Sequence, residues 1–342
     1  MLKKEQILTK IVRRGKHIEY FKKVDNTYKL SQSVQFFFSP PSAICLTDKI
    51  RRLKKTNNIA HSFSETNTMI PARLVRQTAS GTKYVTIPSP SSLSAATSNT
   101  PTICFIPGYR SEFMASHKSH LAYDIARRLR YRFMAWDHHP VDGSVQQWYE
   151  ASCELLAAEI QDGASGDRNN NVVYLISSSM GTWLSLLLAR RFSHNVRGIL
   201  GIGSGVDFTE RWLQNEVPVD HRCDRTYVWK RPSQYDPSGY YAVPVASLLD
   251  SRPMLIMDND RRNLPTLSNC PITLIHGGQD VDVPLSLAQD LARELQLHGN
   301  EVVLDIIEDG DHRLSRPHDL QRIGKRAIGM VAKGETLHKM KP

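Results

Sequence analysis

Residues 172–191 read VVYLISSSMGTWLSLLLARR, a short apolar run, three serines and a leucine-rich segment. The apolar run is the size of a buried strand, and residues 180–192 are long enough and regular enough for a helix. A strand that turns tightly into a helix forces one residue into a strained backbone conformation at the turn. Such a turn admits only small residues two positions before and two after that residue. Ser178 would need Ile176 and Met180 to be small, and Ser177 would need Leu175 to be small. Ser179 has Ser177 before it and Gly181 after it, so it alone passes and is the candidate nucleophile. The pattern departs from G-x-S-x-G at Ser177, a side chain small enough for the turn. The alternative is a serine-rich loop that caps the helix amino terminus.

Working outward, strands are expected over 102–106, 132–136, 196–202, 271–275 and 301–307. Helices are expected over 121–129, 148–160 and 285–297, with another from about 317. A hairpin is expected from 73–77 and 83–87, and the Ser/Pro-rich stretch 89–100 reads as a surface loop. The alternation implies an α/β fold with a mostly parallel central sheet and helices on both faces. Residues 67–335 form that domain, 336–342 a tail, and the long irregular stretch 207–269 a lid insertion. In such sheets ligands bind beyond the carboxyl ends of the strands, so the loops there are expected to carry the chemistry.

PITLI runs into HGGQDVDVP (276–284), where Asp280 sits as the turn leaves the strand and can orient an imidazole. Asp282 is its competitor, with a solvated loop or helix-start role as the alternative. EVVLDII runs into EDGDH, and His312 is the one histidine of 13 that directly follows a late strand through a glycine turn. His298 and His318 read as solvated, and His276 as packed beneath its turn. An oxyanion formed by attack of Ser179 needs two donors. The backbone N–H of Met180 follows the nucleophile, and the N–H of Tyr109 is expected from the loop Pro107-Gly108-Tyr109-Arg110. Arg110 could donate as well, bind an acidic substrate group, or simply be solvated.

The 342 residues are 40% hydrophobic and 23% charged, with a formal net charge of +10. Residues 1–66 hold 14 Lys and Arg against five acids, so +9 of that charge lies there and the rest of the chain is almost neutral. The basic balance therefore argues for no nucleic-acid partner at the domain itself. Leu2, Ile7, Leu8, Ile11 and Val12 have helical spacing among basic residues, so 1–66 reads as a targeting segment or a disordered extension. A mitochondrial location is expected from it, with the cytoplasm as the alternative. Five scattered cysteines with no CxxC argue against a disulfide framework or structural zinc. No apolar run approaches the ~20 residues of a membrane span, so stable membrane insertion is not expected.

Taken together, FIPGY (105–109), SSMGTWL (178–184), VWKRPSQY (228–235), HGGQDVDVP (276–284) and DHR (311–313) resemble the α/β-hydrolase superfamily. More narrowly they resemble the alpha/beta-hydrolase domain-containing protein 10 family of mitochondrial palmitoyl-protein thioesterases and acyl-glucuronide esterases. The chain order Ser179, Asp280, His312 is that of the superfamily. The resemblance implies a Ser179–His312–Asp280 triad and no cofactor. Its substrate would be an acylated protein or a small-molecule ester or thioester. The HHPVDGS loop (138–144) departs from the more glycine-rich turn of relatives. The aromatics of 207–269 suit an apolar acyl chain or a small subdomain core. A non-catalytic binding protein on the same fold is the competing function.

Overall fold

A computed structural model describes residues 9–14, 17–24, 27–35, 68–90, 100–161, 171–258 and 263–339. The chain divides into two units, Met1–Lys55 and Thr56–Pro342. In the first, strands β1 (Thr9–Arg14), β2 (His17–Val24) and β3 (Thr27–Gln35) pair antiparallel in the order β1-β2-β3. Ile11 and Val12, counted above in a helical spacing, thus lie in a strand, while Leu2, Ile7 and Leu8 fall outside the described residues.

The second unit carries β4 (Arg76–Gln77), β5 (Lys83–Ile87), β6 (Thr102–Ile106), β7 (Arg132–Trp136), β8 (Val173–Ser178) and β9 (Val196–Ile202). They are followed by β10 (Val228–Pro232), β11 (Tyr240–Pro244), β12 (Ile272–Gly277) and β13 (Val302–Ile307). Its helices are α1 (His117–Leu129), α2 (Val145–Gln161), α3 (Met180–Arg191), α4 (Phe208–Asn215), α5 (Val245–Asp250), α6 (Leu285–Leu297) and α7 (Pro317–Lys339). Eight strands form one sheet in the order β13-β12-β9-β8-β6-β7-β5-β4. From β13 to β7 the neighbours are parallel, and β5 and β4 join antiparallel.

The period of two along each strand sends alternate side chains to opposite faces. Cys104, Ile106, Met134, Trp136 and Leu175 pack with Trp183 and Leu187 of α3, Leu156 of α2 and Leu291 of α6. Ile103, Phe105, Phe133, Tyr174 and Ile176 pack on the other face with Ile125 of α1 and Ile323 and Ala327 of α7. Each such aliphatic or aromatic side chain contributes roughly 1.5–3 kcal/mol by leaving water. Strands buried on both faces read as unbroken apolar runs, which is why β6, β7 and β9 coincide with their expected bounds.

Three expectations need correction. Residues 73–77 do not form a full strand: a 3₁₀ turn occupies Ala72–Leu74, and only Arg76 and Gln77 pair with β5. Residues 336–339 of the expected tail belong to the last helix, since α7 runs to Lys339. The stretch 207–269 is not irregular: it holds α4, the β10–β11 hairpin and α5. Pro232 and the seven residues linking the two strands interrupt the alternation, although Trp229 and Val243 lie opposite each other and are buried. This insertion is clasped at its base. Asp207, at φ 50°, accepts backbone N–H bonds from Ile256 at 3.1 Å and Met257 at 2.6 Å.

Candidate active site

Ser179 sits between β8 and α3 at φ 51° and ψ −120°, a conformation costing on the order of 1–3 kcal/mol. The neighbours hold it there. A Cβ on Gly181 would lie 2.3 Å from the Ile106 carbonyl oxygen, so glycine is obligatory where the helix crosses β6. Ser177, in the position where glycine was expected, is fully buried and its hydroxyl donates to the Leu200 carbonyl at 3.2 Å. The departure from G-x-S-x-G thus ties β8 to β9.

Two glycine turns bring the other groups to the same rim. A Cβ on Gly277 would stand 2.4 Å from the Gly310 oxygen, and one on Gly278 would stand 2.5 Å from the Glu308 oxygen. The turns after β12 and β13 therefore touch backbone to backbone. Asp280 Oδ1 accepts N–H bonds from Asp282 at 3.0 Å and Val283 at 2.8 Å, which leaves Oδ2 to accept from His312 Nδ1 at 2.8 Å. His312 Nε2 lies 3.1 Å from Ser179 Oγ. Three expected residues from three loops, Ser179, Asp280 and His312, are thus joined in one hydrogen-bond chain. His276 is fully buried beneath the turn and bonds the Val283 carbonyl at 2.8 Å, and burial holds its imidazole below its usual range. The Asp282 carboxylate takes no part in this chain: its Oδ2 accepts from Tyr235 Oη at 2.7 Å. Donor atoms of Asp280, Asp282 and His312 do lie within 4.8 Å of one another, and these hydrogen bonds account for the grouping.

Ser179, Asp282 and His312 line a cleft of about 490 Å³ together with Gly108, Tyr109 and Gly205. That volume falls within the ~300–1,000 Å³ of small-molecule sites. A Cβ on Gly108 would lie 3.1 Å from that of Ser179, a tight contact that would press on the nucleophile. Gly205 likewise abuts Ser179 Oγ and the N–H of Met180. The Tyr109 ring packs edge-on against Trp148, Phe208, Trp212 and Tyr241 at centroid distances of 5.5–5.9 Å. Arg110 is not free: it bonds Asp142 and the Ala242 carbonyl, tying the 107–110 loop to the insertion.

Two residues with no role assigned from sequence hold that loop and the turn that follows it. His138 is buried and donates from Nε2 to the Pro107 carbonyl at 2.9 Å, and burial lowers its imidazole to about 4, so it stays neutral at pH 7. Asp137, at the end of β7, accepts from the Phe113 N–H at 2.7 Å. The strand-end position of Asp137 and the unusual HHPVDGS loop were the available signals. Burial pushes the Asp137 carboxyl up to about 6, with Glu112 adding to the rise and the Phe113 bond and Lys83 opposing it. The folded protein therefore binds this proton more tightly than the unfolded chain, whose aspartates titrate near ~3.9. Its charge costs stability at pH 7, and the cost fades as pH falls through 6 towards 4. Asp137→Asn keeps the acceptor and removes the charge. It is expected to raise stability at pH 7 by about 1 kcal/mol, after allowance for the partial exposure of the group. Thermal melts at pH 7 and pH 4 check this: the gain should shrink at the lower pH.

No family model matches the chain. Over 242 residues it is 26% identical to the human (Homo sapiens) palmitoyl-protein thioesterase ABHD10, mitochondrial, covering 69% of this chain and 75% of the relative. The solved structure of alpha/beta hydrolase domain-containing protein 10 from mouse has a TM-score of 0.56 at 20% identity, covering 80% of this chain and 98% of that one. Est1E from Butyrivibrio proteoclasticus has a TM-score of 0.59 at 11% identity, covering 77% of this chain and 98% of that one. Sheet order, strand-end loops and these likenesses agree: the chain has the α/β-hydrolase fold and resembles ABHD10.

Proposed function

We propose that the chain is a serine hydrolase that cleaves an acyl ester or thioester, in the manner of a palmitoyl-protein thioesterase or an acyl-glucuronide esterase. The observation that carries this reading is the Asp280–His312–Ser179 hydrogen-bond chain at the floor of the cleft. His312 Nε2 takes the hydroxyl proton as Ser179 Oγ attacks the acyl carbonyl. Asp280 holds the Nδ1–H tautomer and stabilises the imidazolium that forms. The backbone N–H groups of Tyr109 and Met180 receive the developing oxyanion. His312 then gives its proton to the departing alcohol or thiol, leaving the acyl group on Ser179. Water, deprotonated by the same imidazole, attacks that ester and frees the acid and the serine.

The insertion forms a lid over this site, and the aromatics beside Tyr109 supply an apolar wall for an acyl chain. The substrate is an acylated protein or a small ester. The names of the curated relatives support a mitochondrial location, which fractionation of cells expressing the full chain would test.

The deciding experiment has two arms. A fluorophosphonate probe should label the wild type, and Ser179→Ala should abolish the labelling. A panel of acyl-thioesters and p-nitrophenyl esters of rising chain length should show a preferred length and linkage. Absence of labelling and turnover in the wild type would sink the hydrolase reading and favour a binding protein. Equal, slow cleavage of the whole panel would remove the depalmitoylating reading alone.

A further inference from the structure

Cations crowd the cleft, although the chain beyond residue 66 is nearly neutral. Arg110, Lys118, Arg211, Arg231 and Arg313 all line it. Four of them are engaged. Arg110 bonds Asp142, and Lys118 donates to the Arg313 carbonyl. Arg231 pairs with Glu216 at 3.2 Å and lies 4.2 Å over the Trp212 ring, and Arg313 lies 5.8 Å over Tyr235.

Arg211 differs. Its guanidinium has no ion pair or side-chain hydrogen bond among the described residues, yet it is partly buried. It projects from α4 with Phe208 and Trp212, and the i, i+3, i+4 spacing puts all three on the side of the helix that lines the cleft. The acids lining the cleft do not serve it: Glu112 faces Lys83 at 3.9 Å, and Asp282 accepts from Tyr235. Burial holds Arg211 below its usual range; the fields of Glu216 and Asp207 oppose that effect without an ion pair, and Arg231 adds to it. A half-buried guanidinium without a partner is costly, and its planar fork matches a carboxylate.

We propose that Arg211 is a specificity-determining residue that binds a carboxylate of the substrate, so that the cleft selects acyl esters or thioesters carrying an acidic group. This deepens the hydrolase reading and rests on it. The carboxylate can belong to the acyl half or to the departing half, and the test separates the two.

Two matched pairs serve as probes. For the acyl half, p-nitrophenyl hemiglutarate is compared with p-nitrophenyl pentanoate. For the departing half, S-hexanoyl mercaptoacetate is compared with S-hexanoyl mercaptoacetamide. In one pair the acid should exceed its neutral partner about tenfold in kcat/KM, mainly through KM, and the preference should fade in high salt. Arg211→Met should collapse the ratio, Arg211→Lys should keep part of it, and Arg293→Met on α6 should leave it intact. Neutral preference in both pairs, or a ratio indifferent to Arg211→Met, overturns the proposal. A separate readout needs no turnover: titration calorimetry of the same compounds into Ser179→Ala. Tighter binding of an acid that is lost in Ser179→Ala/Arg211→Met supports the proposal, and equal binding of acid and neutral partner overturns it. If the wild type cleaves none of the four and takes no fluorophosphonate label, the hydrolase reading fails on its own, and the calorimetry still decides the role of Arg211.

Discussion

Ser179→Ala is expected to lower kcat by roughly 10⁴–10⁶-fold on any ester the wild type cleaves, with the fold intact by circular dichroism. The size follows from what the hydroxyl does in the proposed route. It is the atom that bonds the substrate, and among the described residues His312 bonds no second hydroxyl or thiol that it could activate. His312→Ala should cost a similar factor, and the double variant should be little worse than either single one, because the two groups act as a unit. Additive losses would mean that the 3.1 Å contact between Nε2 and Oγ is incidental to chemistry. The backbone strain offers a second check. Ser179→Gly should be as inactive as Ser179→Ala but melt higher, by an amount on the order of 1 kcal/mol, since glycine adopts φ 51° without the Cβ penalty. No difference between the two variants would show that the turn stores nothing.

The second large effect concerns a residue with no side chain. Gly277→Ala would place a methyl 2.4 Å from the Gly310 oxygen and 2.6 Å from the Asp311 oxygen. Both are backbone atoms of the adjacent turn and cannot swing aside, so the loops carrying Asp280 and His312 must part. Overpacking of this kind destabilises by about 1–3 kcal/mol. A shift near an ångström in a reacting group costs about 10²-fold in rate. Urea melts and the rate of fluorophosphonate labelling measure the two consequences separately. Gly329→Ala on α7 is the reference, because nothing lies within 4 Å of a Cβ there and the helix interior should gain up to about 1 kcal/mol. Full labelling speed in Gly277→Ala would show that the Asp–His pairing does not depend on this contact.

Much of this architecture was legible before any coordinates. Residues 102–106, 132–136, 196–202 and 285–297 keep their expected limits, the strands because both faces are buried and α6 because its apolar spacing is regular. Ser179 was legible from a steric test on its neighbours, and Asp280 and His312 from their positions at strand ends. The insertion was less so. Its hairpin contains Pro232 and a long turn, and α4 and α5 are only eight and six residues long, too short for a period to stand out. Asp137 and His138 escaped for another reason. They act on the backbone of a loop distant in sequence, at Phe113 and Pro107, and no local pattern encodes a partner that far along the chain. Arg211 escaped because its interest lies in the partners it lacks, which only three-dimensional neighbours reveal.

Asp207 receives the N–H groups of Ile256 and Met257, so the two ends of the segment 208–255 are held side by side. Exchange of that segment as a cassette, joined at two adjacent seams, must preserve the contacts of Tyr235 with Asp282 and Arg313, which reach the loops that bear Asp280 and His312. A chimera spliced at those seams would carry the donor's choice of substrate on the recipient's reaction machinery.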